Sequence, residues 1–74
     1  MVVSIACPVT QQVVYAHVEK PHQVVSRFGI RELNGRHWLG NRHVIVAPID
    51  EVPPEGRLVQ SPEDLQAFLH PSFH

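Results

Sequence analysis

The sequence predicts an α+β domain: a small twisted antiparallel sheet of four or five strands with one short C-terminal helix. Three observations carry this reading. The apolar runs are short and rich in Val and Ile, as half-buried strands are. Seven prolines and four glycines punctuate the 74 residues and exclude long helices. Only one stretch, near the C-terminus, has the start chemistry of a helix. Strands followed by a helix argue for α+β rather than α/β. The alternative arrangement is a small SH3-like or OB-like barrel plugged by that helix.

Taken in order, the first run is Val2 to Ala6, closed by Pro8. It has no charge and no proline guard, so it reads either as an inner strand or as an edge open to association. The second run, Gln11 to Glu19, contains Val13, Val14, Tyr15 and Val18 and ends at Lys20-Pro21. The third is Gln23 to Leu33. Asn34-Gly35 follows, the dipeptide that best fits a two-residue type I′ hairpin turn. The fourth run is Arg36 to Ala47, closed by Pro48. Asp50 to Gly56 is an acidic, proline-rich loop, and Arg57 to Gln60 is short enough for an edge strand. Ser61 then offers an N-cap, Pro62 suits the first helical position, and Glu63 and Asp64 complement the positive end of the dipole. Leu65, Phe68 and Leu69 follow at i, i+3 and i+4 and form an apolar stripe. His70 lies near the helix end, and Pro71 stops it.

A chain this short makes one domain with a thin stability margin. Six basic and seven acidic side chains leave a net charge of −1, which gives no bulk attraction for nucleic acid. Charge is uneven along the chain, however. Residues 1–43 carry +3 and residues 44–74 carry −4. The single cysteine, Cys7, excludes an intramolecular disulfide and fits a reducing, cytoplasmic setting. No segment reaches the roughly 18 apolar residues of a membrane span, and the opening lacks the basic leader of a signal peptide.

The Asn34-Gly35 turn organises the candidate site. If the two flanking runs form one long hairpin, Leu33 faces Arg36, Arg31 faces Trp38, Gly29 faces Gly40 and Arg27 faces Arg42. Alternation across the pleat then puts Val24, Phe28, Ile30, Leu39 and Ile45 on the core face, with Glu32 opposite His37. The other face collects Arg27, Arg31, Arg36, Arg42 and Trp38, four of the five arginines around the only tryptophan. In the other register, Gly40-Asn41 makes a second turn and Arg36 to Leu39 is a short middle strand. A planar arginine fork grips carboxylates or phosphates, and a tryptophan fills a protein pocket or stacks on a base. Alternatively, the same residues form a solvated face with Arg31 stacked on Trp38.

Catalytic and metal chemistry find little support. The six histidines lack ligand spacing on any expected strand or helix. His37 and His43 share a face of the long hairpin but stand about 20 Å apart. Cys7 precedes a proline, away from any helix start, and reads as a small buried apolar residue. No serine sits in a nucleophile elbow and no glycine-rich phosphate loop exists. No cofactor is implied.

The expected function is that of a non-enzymatic protein-binding module. It acts as a small regulator or inhibitor that docks on a larger protein through the Arg27, Arg31, Arg36, Trp38 and Arg42 hairpin, a sheet edge, or both. The partner offers an acidic surface patch. Free-standing domains of this size, of the kind phage and plasmid genes supply, often act in this way. A homodimer through a strand edge is a further expectation. The alternative is nucleic-acid binding by the same basic, aromatic hairpin.

Overall fold

The computed structural model describes residues 1–69. Five strands form one antiparallel sheet in the order β2-β1-β5-β4-β3. They are β1 (Val2–Ala6), β2 (Val13–His17), β3 (Arg31–Leu33), β4 (Arg36–Leu39) and β5 (Arg42–Ile49). Two helices accompany them, α1 (Gln23–Phe28) and α2 (Pro62–Leu69). The α+β class of the sequence reading holds. The barrel does not form, because β2 and β3 end the sheet on opposite sides and do not pair with each other.

β1 is an inner strand. It pairs with β2, Ile5 facing Val14, and with β5, Ile5 facing Val46. Its lack of guarding charge is therefore the signature of a strand covered on both sides. Along β1, the odd residues Val3, Ile5 and Cys7 are buried with Val14, Ala16 and Val44 of the neighbouring strands. This is the core face. Both helices lie against it, contributing Val24 and Phe28 from α1 and Leu65 and Leu69 from α2. The resulting two layers explain a molecule only 19 Å through its short axis.

The third run departs from its expected form. Gln23–Phe28 is a helix, and only Arg31–Leu33 remains a strand. The His22 N-cap makes no side-chain cap bond, and the β-propensity of Val24 and Val25 is outweighed instead by turn contacts at both ends and by burial of one helix face. The Gln23 side-chain oxygen accepts the Glu19 N–H at 2.7 Å, which fixes the entry turn after Pro21. Gly29 closes the exit with φ 72° and donates its N–H to the Val24 carbonyl, a left-handed cap that suits glycine best. Val24 and Phe28, at i and i+4, then share the buried face of the helix.

α2 starts as its sequence predicts. The Ser61 hydroxyl accepts the Asp64 N–H at 3.1 Å. Asp64 returns the contact one residue further out, accepting the Gln60 N–H at 3.4 Å, where a capping box would reach the cap residue itself. Leu65 and Leu69 are buried and Phe68 is packed against the core. The proposed stop at His70 and Pro71 lies outside the described residues.

Between β5 and α2 the chain crosses to the far side of β2. There Arg57–Val59 lies parallel to β2: Tyr15 donates to the Arg57 carbonyl and Val59 donates to the Tyr15 carbonyl, both at 2.8 Å. The expected edge strand is thus a single bridge, and it covers much of the β2 edge. β3 remains the open edge, with all three residues exposed.

Candidate docking face

The Asn34-Gly35 turn forms as the sequence predicts. Asn34 and Gly35 take φ values of 55° and 76°, the two positive angles of a type I′ turn. Arg31 faces Trp38, Glu32 faces His37 and Leu33 faces Arg36. The long hairpin stops there. Gly40-Asn41 makes the second turn, and β5 returns along β4 with Leu39 facing Arg42, Trp38 facing His43 and His37 facing Val44.

The two-residue second turn pairs Leu39 with Arg42, three positions on, so every later position changes face relative to the long hairpin. Arg42 therefore leaves the expected basic face and stands half-buried on the core side, with Val44 beyond it. Ile45, expected in the core, faces outward and is 49% exposed. His37 and His43 fall on opposite faces of adjacent strands rather than far apart on one. Arg27 leaves the face as well, because it belongs to α1. It donates to the His17 carbonyl at 3.0 Å and its guanidinium lies 5.5 Å from the centre of the Phe28 ring. Arg27 thereby ties α1 to the end of β2.

Three of the five expected site residues stay together on the outer face: Arg31, Arg36 and Trp38. The parity change adds His43 and Ile45, and Leu33 completes the set at 50% exposure. No carboxylate stands among these six positions, since Glu32 points to the other side. Arg31 stays exposed but gives one N–H to the Gly40 carbonyl at 2.7 Å, which braces the second turn. Its stacking on Trp38 does not form. The aromatic neighbour of Trp38 is His43, with ring centres 5.4 Å apart. The Trp38 Nε1–H is shielded from solvent and meets no acceptor among the described residues. Arg36 makes no side-chain hydrogen bond among the described residues and is exposed at the hairpin tip.

Cys7 is buried, as its sequence context suggests, but its chemistry is not that of an inert apolar residue. Burial pushes the thiol up. Hydrogen bonds from the Thr10 hydroxyl, from the N–H groups of Thr10 and Val9, and from Arg42 outweigh it and bring the pKa from 9.0 down to about 7. The Arg42 Nη1 lies 4.0 Å from Sγ. A tight turn creates this environment: Gln11, at φ 64°, donates to the Cys7 carbonyl at 2.6 Å. The only sequence signal is Thr10 three residues after Cys7, and the contribution of Arg42 depends on the unexpected parity of β5.

Several clefts border the core layer. One, about 650 Å³, runs along the β2 edge between Tyr15, Glu55, Arg57 and Phe68. The Arg57 guanidinium covers the Phe68 ring at 4.8 Å. Another, about 190 Å³, lies beside the second turn between Leu39, Gly40, Asn41, Arg42 and Gln66. Among the described residues, no three His, Cys, Asp or Glu side chains gather to hold a metal ion. No helix among them is long and apolar enough to cross a membrane. Compared with protein-family models, curated proteins and solved structures, the chain matches none.

Proposed function

We propose that this chain is a non-enzymatic protein-binding module, a small regulator or inhibitor that docks on a larger protein through the outer face of β3, β4 and β5. The observation that carries this reading is the composition of that face. Arg31 and Arg36 flank a half-buried Trp38, exposed Leu33 and Ile45 stand beside them, and no carboxylate interrupts the set. Aromatic and arginine anchors next to exposed aliphatic area are what the centres of protein interfaces favour. The absence of acid on the face matches a partner with an acidic patch, whose field would orient the approach.

Charge favours a protein over nucleic acid. With two arginines on the face, counterion release gives a salt slope of only about −2 on duplex DNA. Self-pairing through the open β3 edge is also disfavoured. A twofold pairing places each central residue opposite its own copy. Centring on Arg31 or Glu32 opposes like charges, and centring on Leu33 runs into the Asn34-Gly35 turn.

The test is capture of binding proteins from an extract, with and without nuclease, by the wild type and by Arg31→Glu, Arg36→Glu and Trp38→Ala variants of verified fold. The reading predicts a stoichiometric protein that survives nuclease and is lost with each variant. Capture that disappears on nuclease treatment, or that ignores all three variants, refutes it.

A further inference from the structure

Arg42 stands on the core side of β5, where an apolar residue would be expected. It is half-buried, and its one hydrogen bond among the described residues is the long contact to the Cys7 sulfur. A guanidinium carries five N–H donors in a rigid fork, and only one of Arg42's meets a protein acceptor among the described residues, so the others stay open to water or a ligand. One side of this residue opens into the small cleft beside the Gly40-Asn41 turn. Asn41 from the turn and Gln66 from α2 line the same cleft, and buried Leu39 gives it an apolar wall.

We propose that this cleft is a carboxylate-binding site anchored by Arg42. The fork of arginine matches the two oxygens of a carboxylate, and the amides of Asn41 and Gln66 supply further donors. One guanidinium balances one negative charge, which favours a monocarboxylate over a phosphate dianion. The volume, about 190 Å³, equals roughly six water molecules at about 30 Å³ each, room for a carboxylate with a short aliphatic tail against Leu39. Two sources carry that group: a free short-chain carboxylic acid, or an acidic side chain of another polypeptide. The site lies on the opposite face of the sheet from the docking surface, so it stands or falls independently of the reading above.

Occupancy has a second consequence. The Arg42 that grips the ligand is the Arg42 that reaches Cys7. A bound carboxylate draws the guanidinium away and adds a negative charge nearby, so the thiol becomes harder to ionise.

The experiment is a two-dimensional amide NMR titration of the full chain at constant ionic strength. Butyrate probes the free acid, N-acetylglutamate amide probes the side-chain source, and inorganic phosphate and chloride are comparisons. The proposal predicts saturable shifts at Gly40, Asn41, Arg42 and Gln66, including both side-chain amides, with a dissociation constant on the order of millimolar. Whichever carboxylate binds more tightly identifies the source. Arg42→Gln weakens binding at least tenfold. Gln66→Glu, at an exposed position that leaves the core untouched, weakens it as well by placing a competing carboxylate at the cleft. The Cys7 Cβ shift, followed against pH, moves its midpoint upward with saturating butyrate. No saturable response in the wild type, equal shifts with chloride, or unchanged binding in Arg42→Gln with a native spectrum overturns the proposal.

Discussion

Replacing Cys7 with alanine changes how stability depends on pH, and the size of the change follows from the thiol's surroundings. In the folded chain the thiol ionises at about 7, against an ordinary value of 9.0. Between these values the unfolded chain holds a proton that the folded chain has released. Stability therefore rises with pH across this window and is lost as pH falls through 7. Two units correspond to about 2–3 kcal/mol, a sizeable share of the roughly 4–11 kcal/mol expected for a domain of this length. Cys7→Ala also loses some packing, but that cost does not vary with pH. Urea unfolding under reducing conditions at pH 7 and pH 9 isolates the difference. With a slope of about 1 kcal/mol per molar, the wild-type midpoint should rise about 2 M more than that of Cys7→Ala. Arg42→Gln should remove only part of the effect, because Thr10 and Val9 also stabilise the thiolate. Parallel pH profiles for wild type and Cys7→Ala would show that the thiolate is not stabilised by the fold.

Two further substitutions probe the register and the loop that crosses the sheet. Val44→Asp should unfold the domain, since Val44 is 1% exposed, whereas Ile45→Asp at 49% exposure should cost less than about 1 kcal/mol. Circular dichroism melts of the pair decide between the observed parity and that of one long hairpin, which exchanges the two outcomes. At Gly56 an added Cβ would lie 2.7 and 2.8 Å from the Tyr15 ring and 3.1 Å from Pro53. Gly56→Ala should therefore destabilise by about 1–3 kcal/mol through overpacking, read as a lower urea midpoint. No change would mean that the loop is not seated on Tyr15.

Where sequence reading succeeded, the decisive signals were local. Val2–Ala6 and Val13–His17 are apolar runs with clear ends. Asn34-Gly35 admits one favoured turn, and the Ser61 cap is set by its own hydroxyl. Where it failed, two local preferences competed. Val24 and Val25 favour a strand, yet the Gln23 side chain ties the entry turn, Gly29 caps the exit, and a helix that packs Phe28 against the sheet wins. The Gly40-Asn41 turn carries a weaker signal than Asn34-Gly35, so the sequence leaves two registers open, and the one with the second turn forms, exchanging the faces that the long hairpin gives Arg42 and Ile45. Arg31, Arg36 and Trp38 keep the strand pairing that the sequence predicts because they lie close to the Asn34-Gly35 turn. The pairing of Arg42 with Cys7 joins residues 35 apart in sequence and depends on the β1–β5 contact, which no short-range pattern reveals.

The outer face of β3, β4 and β5 is the part of the molecule proposed to meet a protein partner. That role is tested most directly by placing a photo-crosslinking residue at Leu33 or Ile45 on that face and, as a control, at Val25, which is 37% exposed on α1. After irradiation in nuclease-treated extract, the account predicts one protein adduct from Leu33 and Ile45 and none from Val25. Adducts from Val25 alone, or equal adducts from all three positions, would contradict it.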